Sequence, residues 1–179
     1  MRQDLPPVPA GALDRASLRQ WLAASPPLVE GLSDPETQLQ PNGIDLTLQS
    51  VAWFSSLGQL GVDNHDRILA ATIEMDFDVE GWVHLAAGPY LITLNEIFHI
   101  PLSLIALTWP RSSLLRCGVA IHTGVGDAGY HGRLQCLLSV LNPHGLRLQR
   151  GARVVQAVFC PLAQPVAEGY QGQYQRENI

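Results

Sequence analysis

The sequence contains no lysine, so eleven arginines supply all the formal positive charge. Sixteen acidic residues outnumber them, and the formal net charge is −5 at pH 7. Nonspecific binding to nucleic acid depends on clustered Lys and Arg, so this balance argues against a nucleic-acid-binding protein. A guanidinium group can hold a phosphate through two parallel hydrogen bonds, and a small anionic ligand is therefore compatible with the composition.

Other absences exclude further classes of site. The three cysteines show no CxxC spacing and the six histidines no HxH or HExxH spacing, so neither a disulfide framework nor a zinc site is supported. The GxSxG and Walker motifs are also missing, which excludes the serine-hydrolase and P-loop interpretations. No run approaches the roughly 18 to 20 apolar residues of a membrane span, and the N-terminus lacks an apolar signal core. We expect a cytoplasmic protein with no membrane partner and with reduced cysteines in its core.

Thirteen prolines and sixteen glycines are scattered through the 179 residues and separate short apolar runs. This punctuation favours many short strands, and the length suits one domain. Residues 1–11 are rich in proline and are predicted to form a loose arm. Asp14 is predicted to cap a short helix, in which Leu18 and Trp21 share one face.

Three stretches are predicted to form strands of a barrel or sandwich. Residues 73–79 alternate between apolar and acidic side chains, which predicts a half-buried strand. Residues 133–149 are predicted to form a hairpin that turns at 142–145. A further strand is predicted over residues 153–159. The predicted fold class is mainly β.

Residues 110–116, with the sequence PRSSLLR, place two arginines and two hydroxyls directly after an apolar run. Two guanidinium groups and two hydroxyls provide the many donors that a polyphosphate requires at short range. The same pattern is typical of a helix start, with Ser112 or Ser113 as the N-cap and Arg116 in solvent. The motif alone leaves both interpretations open.

Residues 124–132, with the sequence GVGDAGYHG, place four glycines around Asp127 and Tyr130. Glycine lets the backbone approach a ligand closely, a carboxylate can act as a general base, and a phenol ring offers a flat apolar face. Asp and Gly are equally typical of a tight turn. A functional loop and a structural turn are therefore both open here.

Two polar residues mark other predicted strands. Asp45 lies near the start of one, where a carboxylate suits Mg²⁺, directly or through water, because this ion prefers oxygen ligands and keeps several waters. Gln156 interrupts the apolar run VVQAVF and is either a polar residue on an open face or a ligand contact.

Taken together, five motifs resemble, in order and spacing, the dUTPase/dCTP-deaminase superfamily, with the greatest similarity to its deaminase-like dUTPases. They are PNGIDLTL, PRSSLLRCGV, GDAGYHGRL, RGARVVQAVF and GYQGQYQ. The resemblance implies a distorted β-barrel of the β-clip type with a short N-terminal helix, spanning residues 12–166. It also implies a homotrimer with active sites between subunits. Residues 167–179 would be a C-terminal tail that closes over the site.

The resemblance implies a role for each matching residue. The phosphates of the nucleotide would be bound by Arg111, Ser112, Ser113, Arg116 and Gln156. Asp45 would support the hydration shell of Mg²⁺ through water.

The nucleoside half of the site is implied in the same way. Asp127 would orient and activate the hydrolytic water, and Tyr130 would pack on the deoxyribose and exclude a 2′-hydroxyl. Tyr170 or Tyr174 would replace the base-stacking aromatic of the tail, with Arg176 reaching a phosphate.

The superfamily contains two reactions, and one position distinguishes them. Its deaminases use a Glu in the strand after the tyrosine loop, whereas the candidate positions here hold Leu137 or Ser139. We therefore predict a Mg²⁺-dependent dUTP diphosphatase, which forms dUMP and pyrophosphate. The alternatives are a dCTP deaminase, a bifunctional enzyme that makes dUMP from dCTP, and an inactive nucleotide-binding regulatory trimer.

Overall fold

The structure is a computed structural model that describes residues 5–179. In this range the helices are α1 (Arg15–Leu22), α2 (Pro35–Gln38) and α3 (Ser112–Arg116). The strands are β1 (Val29–Glu30), β2 (Leu39–Gln40), β3 (Gly43–Phe54), β4 (Thr72–Glu74), β5 (Trp82–Leu85), β6 (Gly88–His99), β7 (Leu104–Pro110), β8 (Val119–His122), β9 (His131–Val140), β10 (Leu146–Gln149) and β11 (Arg153–Pro161). A short 3₁₀ helix spans Asn64–Asp66.

Most strands belong to one antiparallel sheet with the order β7-β11-β3-β6-β9-β8. Three short strands extend it, because β1 pairs with β6 while β2 and β4 pair with β3. Strands β5 and β10 form a separate two-stranded sheet. The inward side chains of the large sheet form one apolar core with α1. The predicted mainly β fold is confirmed.

The segment after β8 joins the two end strands of the large sheet, β7 and β8. The N–H of Ala106 donates to the carbonyl of Gly126 at 2.8 Å, and the N–H of Gly126 donates back at 2.9 Å. A Cβ at Gly126 would lie 2.9 Å from the Cβ of Ala106, so only glycine permits this approach. The sheet is therefore a nearly closed barrel.

The predicted N-terminal helix is confirmed. Asp14 is its N-cap, and its carboxylate accepts a hydrogen bond from the N–H of Ser17 at 2.8 Å. Leu18 and Trp21 lie on the buried face, as their spacing predicts. The predicted strand over 153–159 is also confirmed, as β11.

The predicted half-buried strand over 73–79 is wrong in length and in burial. Only β4 is a strand, all three of its residues are exposed, and Val79 is fully exposed. The strand cannot extend to Val79 because the chain turns at Asp78, whose carboxylate accepts hydrogen bonds from the N–H groups of Glu80 and Trp82. Met75 and Phe77 are only partly buried against the core.

The predicted hairpin over 133–149 is also wrong. A turn does lie at 142–145, where the N–H of Gly145 donates to the carbonyl of Asn142 at 2.9 Å. However, β10 pairs with β5 and not with β9. Strand β9 already has β6 on one edge and β8 on the other, so it has no free edge for β10.

Residues 1–4 of the predicted N-terminal arm lie outside the described residues, and residues 5–12 contain no helix or strand. The three cysteines are free, but Cys117 is exposed at the end of α3, so the prediction that all three lie in the core is wrong for it. Across residues 5–179, no helix has the length and apolar character needed to cross a membrane.

Glu96 is a fully buried carboxylate on β6 that links this strand to Gln38 and to Thr47 on β3. It accepts hydrogen bonds from the N–H of Thr47 at 2.9 Å, from the Thr47 hydroxyl at 2.7 Å and from the amide of Gln38 at 2.7 Å. Burial raises the pKa of Glu96, and these donors act in the opposite direction. The same Gln38 amide donates to the carbonyl of Asp45 at 2.9 Å. The network therefore fixes the start of β3, where Asp45 lies.

We expect Glu96→Gln to lower the free energy of unfolding by about 2 kcal/mol. The new amide N–H₂ would face one of the donors that now bind Glu96, on Thr47 or Gln38, and that buried donor would lose its acceptor. Glu36→Gln is the matched control, since Glu36 is exposed and pairs only with surface arginines. Urea unfolding at pH 7 and one protein concentration measures both variants. Equal stability of the two would contradict the role of the network.

Candidate active site

The first half of the site lies where β7 leads into α3. Arg111 is the N-cap residue of α3, and no side chain caps that helix. The interpretation of Ser112 or Ser113 as the N-cap is therefore wrong, since both are exposed residues inside the first turn. The reason is register: the strand pairing with β11 continues to Pro110, so the helix begins directly after Arg111.

Asp45 holds Arg111 in place. The carboxylate of Asp45 is buried. Its Oδ2 forms a salt bridge with Nε of Arg111 at 3.0 Å and accepts a hydrogen bond from a terminal nitrogen of Arg153 at 3.3 Å. Burial raises the pKa of Asp45, whereas the two guanidinium groups favour its charged form. Arg153 also donates to the carbonyl of Thr37 at 2.8 Å. The salt bridge to Asp45 thus orients Arg111, and 30% of the Arg111 side chain remains exposed to solvent.

Asp45 and Arg111 line a cavity of about 230 Å³. Its walls are Gln40, Asp45, Pro110, Arg111, Ser112, Ser113 and Gln156. Gln156 lies between Asp45 on β3 and Trp109 on β7 in the strand pairing, so the sheet brings the separate motifs together. Gly43 allows this packing, because a Cβ there would lie 2.6 Å from the carbonyl oxygen of Ala157.

Arg116 lies beside this cavity and not in its lining. It is exposed at the end of α3, and among the described residues its guanidinium donates to the carbonyl of Ser112 alone, at 3.3 Å. The side chain is thus free to turn toward an anion.

The second half of the site is a larger cavity of about 470 Å³ beside the loop that closes the barrel. The side chain of Asp127 is exposed and lines this cavity. Gly126, directly before it, is fixed by the two hydrogen bonds to Ala106. The barrel closure therefore sets where the backbone of Asp127 lies.

Tyr130 forms a wall of the same cavity and is 5% exposed. Its hydroxyl donates to Oε1 of Glu177 at 2.9 Å, and its ring meets the edge of Tyr170 with the centroids 5.9 Å apart. Burial and the neighbouring carboxylate raise the pKa of the Tyr130 phenol far above its ordinary value. The phenol is therefore a neutral donor.

The C-terminal tail completes this second cavity. Tyr170, Tyr174 and Glu177 all line it, whereas Arg176 does not. Tyr174 is 36% exposed and is available to contact a bound molecule.

Sequence reasoning missed Arg153, Gln40 and Glu177. Arg153 lies inside the motif RGARVVQAVF, three residues before Gln156, and Gln40 directly precedes the motif that contains Asp45. Their positions in or beside these motifs could have marked both residues. No pattern marks Glu177, because its partner Tyr130 is 47 residues away.

The two cavities share no lining residue within the described chain. One contains the cationic and hydroxyl groups, and the other contains Asp127 and the aromatic walls. Strand β9 carries no Asp or Glu, and Leu137 and Ser139 lie on it as the sequence predicts.

Among residues 5–179, no group of three or more His, Cys, Asp or Glu side chains lies close enough to hold a metal ion. Mg²⁺ usually uses one or two carboxylates together with substrate phosphates and water. The single buried carboxylate of Asp45, beside the cationic cavity, fits an ion that arrives with a polyphosphate.

Comparison with known proteins identifies a matching family and several relatives. A family model described as dCTP deaminase-like matches residues 13–162. A protein of Methanococcoides burtonii, named probable deoxyuridine 5′-triphosphate nucleotidohydrolase, is 45% identical, and the alignment covers 93% of this chain and 98% of that protein. A relative with the same name from Archaeoglobus fulgidus is 42% identical, with 85% of this chain and 89% of that protein covered.

A solved structure also shares the fold. The dCTP deaminase of Agrobacterium tumefaciens superposes with a TM-score of 0.61 at 23% identity, covering 84% of this chain and 48% of that one. The family model and the sequence relatives extend over most of the chain. The chain belongs to the dCTP deaminase-like family.

Proposed function

We propose that this protein is a dUTP diphosphatase that hydrolyses dUTP to dUMP and pyrophosphate. The observation that carries the proposal is Asp127, an exposed carboxylate in a cavity with aromatic walls, while β9 offers no acid for deamination. The names of the archaeal relatives support the same reaction. The protein would act in the cytoplasm, where its three free cysteines stay reduced.

The cavity at the end of β7 would bind the triphosphate. Arg111 is presented by Asp45, and Ser112, Ser113 and Gln156 add neutral hydrogen-bonding groups. Arg116 would turn inward from solvent and bind a further phosphate oxygen. Guanidinium groups match phosphate geometry and stabilise charge on a leaving pyrophosphate.

Asp127 would orient a water molecule for in-line attack on the α-phosphorus and accept its proton. Attack forms the bond between the water oxygen and the α-phosphorus, and the bond to the bridging oxygen of pyrophosphate breaks. A general base of this kind contributes about 10²- to 10⁴-fold to the rate. Tyr130 would pack on the deoxyribose, and Tyr174 or Tyr170 would stack on the base.

Mg²⁺ is part of the proposal, with Asp45 contacting its hydration shell through water. The metal, when bound, neutralises charge on the triphosphate and makes the α-phosphorus easier to attack. Asp45 would hold this water while it keeps Arg111 and Arg153 paired on its other side. A single carboxylate is sufficient for an ion that the nucleotide brings with it.

The complete site would form between subunits of a homotrimer. A triphosphate in one cavity and a nucleoside in the other require the two cavities to face each other, yet within one chain they have no lining residue in common. Closed symmetric assembly can bring different surfaces of identical chains together. The cationic cavity of one subunit would therefore meet the Asp127 cavity of its neighbour.

We expect Asp127→Asn to lower kcat for dUTP by about 10²- to 10⁴-fold with little change in KM, because the proton acceptor is lost and the phosphate contacts remain. Asp76→Asn is the control, since Asp76 is exposed and lies outside this cavity. Pyrophosphate release with Mg²⁺ is the measurement. Near-normal turnover in Asp127→Asn would show that the assigned base is wrong.

The wild-type protein should release pyrophosphate from dUTP and no ammonia from dCTP, because β9 lacks an acid. Parallel assays of both products with both nucleotides test this. Ammonia from dCTP would establish the deaminase or bifunctional alternative. Tight nucleotide binding with neither product would establish the regulatory one.

Co-expression of Arg116→Glu and Asp127→Asn chains should restore activity that neither variant has alone. Each substitution damages a different half of the site, and random assembly leaves about one site in four with both halves intact. Activity should therefore recover to about a quarter of the wild-type value. Absence of any recovery in mixed oligomers would contradict a site shared between subunits.

A further inference from the structure

The end of the tail pairs closely with the segment around Tyr130. The N–H of Tyr170 donates to the carbonyl of Ala128 at 2.8 Å, and the N–H of Arg176 donates to the carbonyl of His131 at 2.7 Å. The amide of Gln175 bonds both to the N–H of His131 and to the carbonyl of Gly129, each at 2.8 Å. The tail thus follows the loop by backbone contacts on both sides of Tyr130.

Arg133 anchors the last residues of this tail. Its N–H donates to the carbonyl of Glu177 at 3.1 Å, and its Nε donates to the carbonyl of Asn178 at 2.8 Å. The amide of Asn178 returns a bond to the carbonyl of Arg133 at 3.2 Å. These hydrogen bonds fix the backbone of Glu177, and they do not involve its side chain.

The residues on both sides of Glu177 adopt the left-handed backbone conformation. Arg176 has φ 62° and Asn178 has φ 57°, and these two are the non-glycine residues with positive φ in the described chain. Residues with a side chain adopt this conformation uncommonly, asparagine more often than most, and here it accompanies the hydrogen bonds that His131 and Arg133 make with the tail. Glu177 lies between them, with its carboxylate on the Tyr130 hydroxyl.

The space for this contact depends on Gly132. A Cβ at Gly132 would lie 2.7 Å from the Tyr130 hydroxyl and 3.3 Å from the backbone nitrogen of Glu177. Burial raises the pKa of Glu177, while the bond from Tyr130 acts in the opposite direction. The pair is thus an enclosed contact within the cavity of Asp127.

We infer that Glu177 is a positioning residue that fixes the Tyr130 ring and so sets the selection of deoxyribose over ribose. The inference rests on the proposed role of Tyr130 as the surface that packs on the sugar. The hydroxyl is held at one end by Glu177, and the ring meets the Tyr170 edge at an interplanar angle of 70°. A ring held at two points cannot tilt to admit a 2′-hydroxyl. Without the carboxylate the ring gains that freedom.

We expect Glu177→Ala to reduce the ratio of kcat/KM for dUTP to kcat/KM for UTP by about tenfold, in proportion to the loss of one buried hydrogen bond. The loss should come mainly from improved use of UTP. Glu177→Gln should stay close to wild type, because its amide oxygen still accepts from Tyr130. Glu168→Ala is the control, since Glu168 is an exposed acid of the same tail.

A double-mutant cycle tests whether Glu177 acts through Tyr130. Tyr130→Phe should lower the ratio as Glu177→Ala does, and the double variant Tyr130→Phe/Glu177→Ala should show no further decrease. An unchanged ratio in Glu177→Ala, or additive losses in the double variant, would overturn the inference. Unfolding midpoints of the variants show whether a change in stability accompanies the change in ratio.

Binding of dUTP and UTP, measured by calorimetry in EDTA, repeats the comparison without catalysis. If the wild type binds dUTP selectively but does not hydrolyse it, the proposed reaction fails while the binding ratios still test Glu177. If the wild type hydrolyses dUTP and UTP equally well, the reaction stands and the inference fails. The two failures are therefore distinguishable.

Discussion

The pair of backbone hydrogen bonds between Gly126 and Ala106 is the constraint on which the site depends. It joins the segment after β8 to β7 and so closes the barrel. The same contact places Asp127 one residue beyond the closure. Because β7 also leads directly into Arg111, one strand positions both halves of the site. The absence of a side chain at Gly126 makes this geometry possible.

The two buried carboxylates near the start of β3 are each paired with groups that stabilise their charge. Asp45 lies between two guanidinium groups, and Glu96 accepts three hydrogen bonds behind it. A buried carboxylate without partners would be strongly unfavourable, so these contacts stabilise the charged forms. They also keep Arg111 from adopting many rotamers before an anion arrives. This preorganisation would suit the proposed binding of phosphate by an acidic protein that has no lysine.

Sequence reasoning succeeded where the signal was local and failed where it was not. The Asp14 cap and strand β11 followed from local residue patterns. The residues that line the two cavities were named through the family resemblance of their motifs, because each motif alone left a structural interpretation open. The hairpin after β9 was wrong because strand partners depend on which edges are already occupied, which no local pattern records. The strand over 73–79 was wrong because alternation does not reveal that a segment lies at an edge beyond the core. Glu177 could not be recognised from the sequence, because its contact with Tyr130 joins residues that are distant in sequence.

In the proposed enzyme, two cavities that are separate within one chain would form one site for dUTP between two subunits. A crystal structure with a non-hydrolysable dUTP analogue and Mg²⁺ tests this most directly. We expect the triphosphate to lie against Arg111 and Ser113 of one subunit, with the deoxyribose on Tyr130 and a water on Asp127 of its neighbour. A nucleotide bound wholly within one subunit, or away from Asp127, would contradict the account.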